Sequence, residues 1–141
     1  MRESIEPMAK AKAAKPEIGT VPIRWLDDVA EHDYAAAQAY LSLRLDEQRA
    51  SKVITRLRKA PLTTRRANDI LRAARLDPAP LEDPGVIKDL IKVIEGKKLS
   101  PVLLIRDVDR ADIADGFRRV SLVYRIDPYG EVPLRLHDAG A

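Results

Sequence analysis

The residues with the clearest chemical potential form the stretch I-A-D-G-F-R-R-V, residues 113–120. A short apolar run predicts a strand that ends at Asp115 and Gly116, and a helix follows it. A helix N-terminus attracts anions, because it carries unpaired N–H groups and the positive end of the helix dipole. Gly116 lets an anion approach the backbone, and Arg118 and Arg119 supply forked, charge-assisted hydrogen bonds. This spacing indicates a phosphate site, although a turn followed by surface arginines fits the same residues.

Basic residues are concentrated between Arg49 and Arg75, where nine basic residues and one acidic residue give a charge of +8. The rest of the chain carries −5. This asymmetry is typical of a surface for the phosphates of nucleic acid or of a nucleotide, and also of solvated helix faces. Two short helices joined by about four residues have the spacing of a helix-turn-helix or of a plain helical hairpin. The candidate nucleic-acid contacts are Arg49, Lys52, Arg56, Lys59, Arg65, Arg66 and Arg72.

Length and composition restrict the class of protein. The 141 residues are 45% hydrophobic and 33% charged, as in a single globular domain. The absence of cysteine excludes a disulfide scaffold, thiolate zinc sites and a cysteine nucleophile. His32 and His137 are far apart, so no metal site is predicted. No apolar run approaches the roughly 20 residues of a membrane span, and no signal peptide is visible. We therefore expect a cytoplasmic protein without a membrane partner.

The chain is predicted as a flexible leader at 1–18 followed by one domain at 19–141. Alternating apolar residues predict a strand at 21–26, and Pro22 favours an edge position for it. Residues 33–76 are predicted to be wholly helical, because apolar residues recur there at helical spacing. The three helices of this stretch are expected to begin at Asp33, at Asp46 and at Thr63 or Thr64, with Pro61 ending the second.

The second half is predicted to alternate strands and helices. Asp83 and Pro84 suit the N-cap and first position of a helix at 86–95, after a proline-rich loop at 77–85. Its predicted inward residues are Ile87, Leu90, Ile91 and Ile94. Strands are expected at 101–106, 111–114 and 131–136, with a helix at 117–126. The predicted fold class is α+β, with these strands and 21–26 in one small mixed sheet.

Several of these segments resemble the N-terminal domain of the ParB/sulfiredoxin superfamily. K-K-L-S-P-V-L-L-I-R at 97–106 is similar to the family's helix-to-strand segment, and I-A-D-G-F-R-R at 113–119 is similar to its glycine-arginine box. E-V-P-L-R-L at 131–136 resembles the closing strand, and V-P-I-R-W-L at 21–26 the opening one. The chain is thereby identified as a divergent member, in which residues 27–82 form a helical insertion without a counterpart.

The resemblance implies a nucleotide site. It places Gly116, Arg118 and Arg119 at the phosphates, and it implies ATP or CTP as the ligand, with Mg²⁺ if the site is catalytic. Asp115 would cap the helix or hold a metal through water, and we expect capping. Phe117 stands at the family's cysteine or glutamate, which excludes thiol-based sulfinic-acid reduction and argues against a CTP-switched DNA clamp. The implied pocket lining is Lys98, Ser100 and Pro101.

Three classes of function follow from these patterns. The first is a nucleotide- or phosphate-binding domain, and its enzymatic version would be a nucleotide-dependent hydrolase, nuclease or phosphotransferase. No general base stands beside the box, because Asp112 and His137 both fit ordinary surface positions, so catalysis stays open. The alternatives are a nucleic-acid-binding module that uses the basic helices at 46–76, and a regulatory protein in which the pocket only signals.

Overall fold

The structure, a computed structural model, describes residues 22–139 and has the predicted α+β fold. Its helices are α1 (Glu31–Arg44), α2 (Glu47–Lys59), α3 (Ala67–Ala74), α4 (Pro84–Ile94) and α5 (Phe117–Ile126). Its strands are β1 (Arg24–Trp25), β2 (Leu62–Arg66), β3 (Lys98–Leu99), β4 (Val102–Arg106), β5 (Ala111–Asp115) and β6 (Glu131–Asp138). The predicted leader at 1–18 lies outside the described residues. No helix in the described part of the chain is long and apolar enough to cross a membrane.

Four strands form the main sheet, in the order β2-β6-β4-β5. Strand β4 runs parallel to β6 and antiparallel to β5, and β2 runs antiparallel to β6. The prediction that the first strand joins this sheet is wrong. Strand β1 instead pairs in parallel with β3, with Arg24 opposite Lys98 and Trp25 opposite Leu99. These two strands, each two residues long, form a separate two-stranded sheet.

Helices cover both faces of the main sheet. Successive side chains of β4 point to opposite faces. Leu103 and Ile105 pack against α1 and α2, whereas Val102 and Leu104 pack against α3 and α5. Helix α4 lies on the outer side of α5, in a third cluster that includes Leu122. The fold therefore has helix, sheet and helix layers, with one additional helix outside them.

The locally encoded helices form as predicted. The Asp46 side chain accepts the Arg49 N–H and caps α2, and Asp83 accepts the N–H groups of Gly85 and Val86 at the start of α4. Such caps satisfy N–H groups that the helix itself leaves unpaired. The apolar residues that recur at helical spacing in α2 and α3 are buried: Ala50, Val53, Ile54, Leu57, Ala67, Ile70, Leu71 and Ala74.

The prediction that residues 33–76 are wholly helical is wrong at Leu62–Arg66, which form strand β2. The predicted helix start at Thr63 or Thr64 therefore moves to Ala67. β-Branched threonine suits an extended backbone, but the pairing with β6 is what selects the strand. The turn before β6 fixes this pairing, because the Gly130 carbonyl accepts the Ala67 N–H at 2.9 Å. The segment 27–82 thus contributes an edge strand as well as helices.

The inward face predicted for α4 is also wrong. Val86 and Val93 are the buried residues of this helix, whereas Ile87, Ile91 and Ile94 are exposed by 41%, 49% and 63%. Leu90 is only partly buried. Apolar residues surround most of this helix, so the periodicity alone does not choose between faces. The choice follows from the outer position of α4, where α5 and β3 cover one side only.

Candidate functional site

The junction between β5 and α5 depends on Gly116. This glycine is the N-cap of α5, with φ +113° and ψ 14°, and no side chain caps the helix. A β-carbon at Gly116 would stand 2.7 Å from Cγ2 of Val102, which is fully buried. The predicted capping by Asp115 is therefore wrong. The first N–H groups of α5 receive no side-chain cap, so the positive end of the helix dipole is available to an anion.

Arg119 lies in the first turn of α5, and its side chain is only 15% exposed. Its Nη2 atom donates to Oδ2 of Asp115 at 2.9 Å and lies 3.3 Å from Oδ2 of Asp33. The same nitrogen is 3.4 Å from the Pro101 carbonyl oxygen. Its Nε atom is buried and has no hydrogen-bond partner in the described part of the chain, and Oδ2 of Asp33 also lacks one. A buried guanidinium with one unused donor is thus set beside two carboxylates.

The carboxylates around Arg119 are held in a partly desolvated environment. Burial raises the pKa of Asp115, against the opposing effect of Arg119. Burial also raises the pKa of Asp89 on α4, again opposed by Arg119. A carboxylate with a raised pKa is less stable in its charged form. Burial therefore destabilises the charged forms of the carboxylates near Arg119. An anion that binds here competes with these carboxylates for the N–H donors of Arg119.

Arg118 points in a different direction from Arg119. Its Nε atom donates to Oδ2 of Asp83 at 2.8 Å, at the N-cap of α4. The Arg118 side chain passes over Gly85, where a β-carbon would overlap it. Burial acts to raise the pKa of Asp83, but hydrogen bonds from Arg118 and Val86 lower it below its ordinary value. Arg118 thus joins the N-termini of α4 and α5, and it contributes to the predicted phosphate site only if this ion pair opens.

The predicted pocket-lining residues are only partly brought together. The Pro101 carbonyl lies beside Arg119, as described above. Ser100 is buried, and its Oγ accepts the Ala30 N–H at 2.9 Å, which joins this loop to the start of α1. Lys98 is exposed on β3, opposite Arg24 of β1. The structure therefore groups Ser100, Pro101, Asp115, Gly116 and Arg119 around one helix end.

Three neighbours of this helix end are absent from the predicted site: His32, Asp33 and Asp89. Asp33 is predicted as the N-cap of α1, but Ala30 is the N-cap, and Asp33 is a buried first-turn residue. Nε2 of the exposed His32 lies 3.2 Å from Oδ1 of Asp33. A signal for two of them exists in the sequence, because Asp33 shares a helical face with Ala37, and Asp89 shares one with Val86. A charged residue on an apolar helix face indicates a buried partner.

The basic segment does not form a helix-turn-helix. Strand β2 separates α2 from α3, and the two helices pack on opposite faces of the main sheet. Burial lowers the pKa of His137 on β6, and the charge of Arg56 lowers it further. Helix α2 packs against β6, which is an inner strand of the main sheet. All seven predicted nucleic-acid contacts are exposed: Arg49, Lys52, Arg56 and Lys59 on α2, Arg65 and Arg66 on β2, and Arg72 on α3.

Asp112 and His137, considered above as possible bases, lie away from Gly116. The expected surface position of Asp112 is wrong, because Asp112 is buried and accepts hydrogen bonds from Tyr40 and Arg44. Within residues 22–139, no group of three or more histidine and carboxylate side chains is arranged to hold a metal ion.

None of the family models matches this chain, and comparisons with curated proteins and with solved structures find no match.

Proposed function

We propose that this chain binds a phosphate-bearing ligand, specifically a nucleotide such as ATP or CTP, at the N-terminus of α5. One observation carries the proposal: the N-cap is a glycine without a capping side chain, and the adjacent Arg119 retains a buried Nε without a hydrogen-bond partner among the described residues. A phosphate at this position would accept hydrogen bonds from the first turn of α5 and from Arg119. Both sets of donors favour anions.

Binding at this position involves an exchange of partners at Arg119. In the structure, its Nη2 atom contacts the carboxylates of Asp33 and Asp115. A phosphate dianion would replace at least one of these contacts. Burial raises the pKa of Asp115, which reduces the cost of neutralising this carboxylate when the anion arrives. The two carboxylates thus hold the Arg119 side chain in position beside the N-terminus of α5.

The resemblance of residues 113–119 to the glycine-arginine box of the ParB/sulfiredoxin superfamily supports a nucleotide over inorganic phosphate. Mg²⁺ commonly binds through one or two protein carboxylates together with substrate phosphates. Asp33 and Asp115 are the carboxylates that would hold it: Oδ2 of Asp33 has no hydrogen-bond partner within the described chain, and both carboxylates would give up their ion pairs with Arg119. Bound Mg²⁺ would neutralise phosphate charge, while Arg119 and the backbone of α5 orient the phosphate.

The test is a thermal-shift and calorimetric titration with ATP, CTP and inorganic phosphate, each with and without Mg²⁺. A ligand at 100 times its Kd stabilises the folded state by about 2.7 kcal/mol. Arg119→Lys keeps the positive charge beside Asp115 but removes the forked donor. We expect it to weaken binding by roughly tenfold or more, since hydrogen bonds to charged groups contribute about 1.5–3 kcal/mol. Arg118→Lys is the matched control and should have a smaller effect, because Arg118 is bound to Asp83.

Wild-type-like nucleotide affinity in Arg119→Lys would contradict the proposal, as would the absence of any shift with all three ligands. The same protein should be titrated with duplex and single-stranded nucleic acid at low salt, where binding to exposed basic residues is strongest. Binding to nucleic acid that responds to Lys52→Glu and Arg56→Glu but not to Arg119→Lys would favour the alternative function. In that case the exposed basic residues of α2 would form the functional surface, and it would bind nucleic acid.

A further inference from the structure

A cavity of about 490 Å³ lies away from the proposed phosphate site. It is bounded by α3, by β2 and by the turn at 107–110 between β4 and β5. Leu103 pairs with Asp115 at one end of the β4–β5 hairpin, and Arg106 pairs with Ala111 at the other. The Gly116 helix follows the first end, and the cavity opens at the second. The two sites are therefore at opposite ends of the same strands.

The floor of this cavity is apolar. Leu104 and Leu136 come from the main sheet, and Ile70 and Ala73 come from α3. Val108, at the tip of the turn, also lines the cavity although its side chain is 92% exposed. Small-molecule sites are commonly cavities of about 300–1,000 Å³ with an apolar lining and a few polar groups. The volume and the floor both fit a compact apolar ligand body.

The charged residues at the rim are unequally paired. Asp69 lies 3.3 Å from Arg72, and Asp107 lies 3.4 Å from Arg44. Arg72 and Arg44 are not part of the lining. Two aspartates of the rim are therefore already neutralised from outside the cavity.

Of the three arginines of the rim, Arg106 is paired with Asp138 at 3.6 Å, and the other two have no ion pair within residues 22–139. The Arg65 guanidinium contacts only the carbonyl of Thr64, at 3.0 Å, and the hydroxyl of Thr63, at 3.4 Å, among the described residues. Arg110 makes no ion pair or side-chain hydrogen bond within residues 22–139. Opposite them, the Asp109 carboxylate is the one rim acid without an ion pair there, and its backbone carbonyl accepts from Arg75 at 3.2 Å. The unpaired charge of the rim is therefore net positive.

We propose that this cavity is a second binding site, for a small organic anion with an apolar body and a carboxylate head. The apolar body would cover Ile70, Leu104 and Leu136, and the carboxylate would bind the guanidiniums of Arg65 and Arg110. A carboxylate matches the forked donors of arginine. A nucleic-acid strand fits less well, because no aromatic side chain of the lining offers a stacking surface, and three aspartates line the rim.

The test uses 2-naphthoate as the probe, with 2-naphthamide as its neutral counterpart, in titrations followed by amide NMR shifts. We expect 2-naphthoate to shift the backbone amide signals of Leu104, Ala111 and Leu136 at concentrations where 2-naphthamide has little effect on them. Arg65→Gln combined with Arg110→Gln should weaken 2-naphthoate binding by about tenfold or more, because two charge-assisted contacts are lost. Ala73→Phe should block the cavity from the exposed side of α3. Arg49→Gln, an exposed arginine of α2 outside the lining, is the matched control.

Three results would overturn the second site. These are equal binding of the acid and the amide, 2-naphthoate binding that survives the double arginine variant, and the absence of shifts at the cavity floor. Binding that is lost in Arg119→Lys but retained in the double variant would place the probe at α5 and would also overturn it. The outcome is independent of the nucleotide titration, since the two sites share no residue.

Discussion

Replacement of Gly116 by alanine tests which contacts and backbone angles the N-terminus of α5 requires. The new β-carbon would meet Cγ2 of Val102 at 2.7 Å, Cγ1 of Val102 at 3.1 Å and Nη2 of Arg119 at 3.0 Å. Val102 is fully buried in the strand next to β5 and β6, so it has little freedom to move. Alanine must also adopt the φ of +113° that glycine tolerates.

The expected cost has two parts. A residue with a β-carbon in the left-handed region loses about 1–2 kcal/mol, and an added methyl group in a packed core costs about 1–3 kcal/mol. Gly116→Ala should therefore lower the free energy of unfolding by roughly 2–5 kcal/mol. Gly96 is the matched control, because it has φ +76° and nothing lies within 4 Å of its would-be β-carbon. Gly96→Ala should show the backbone cost alone, about 1–2 kcal/mol.

The assay is equilibrium unfolding in urea for wild type and both variants, with the slopes compared to check that the transitions are equivalent. Val102→Ala in combination with Gly116→Ala should recover part of the packing cost, which a double-mutant cycle measures as a coupling energy. If Gly116→Ala costs no more than Gly96→Ala, the close contact with Val102 does not constrain this helix end. The geometric basis for a glycine at the proposed phosphate site would then be refuted.

Two further predictions concern one half-buried and one fully buried polar group. Burial raises the pKa of Asp89 above its ordinary value of 3.8. The Asp89 side chain therefore destabilises the folded state least at low pH, where it is protonated in both the folded and the unfolded state. The destabilisation grows as pH rises from the unfolded-state to the folded-state pKa. Asp89→Asn should therefore be more stable than wild type at pH 7, with a difference that disappears in unfolding curves recorded below pH 3.8; a constant difference across pH would count against a titrating Asp89. Ser121 is fully buried, and its Oγ accepts the Ala79 N–H at 2.9 Å. Ser121→Ala should lower the unfolding free energy by about 1–3 kcal/mol, since it leaves a buried donor unsatisfied, whereas the exposed Ser51→Ala should change it by less than about 0.5 kcal/mol.

The helices with strong local signals could be predicted from the sequence alone. Helix α2 has an aspartate N-cap, one apolar stripe and a proline two residues after its last residue, and all three act within a few residues of one another. The cap of α4 at Asp83 and the glycine at the start of α5 are local in the same way. Residues 113–119 could be singled out as a candidate anion site for the same reason, because the strand, the glycine and the two arginines occupy one short stretch.

The remaining features required the tertiary structure, because they depend on contacts between distant residues. Strand β2 is largely exposed and lacks strict alternation, and it becomes a strand through pairing with β6, some 70 residues later. The position of α5 decides which side of α4 is buried. The main sheet lies between α2 and α3, so these two helices do not form a helix-turn-helix. Asp33 and Arg119 meet across 86 positions of sequence, so no local pattern joins them. The sequence determined which residues could attract a phosphate, and the packing of α1, α4 and α5 decided which of them are already paired.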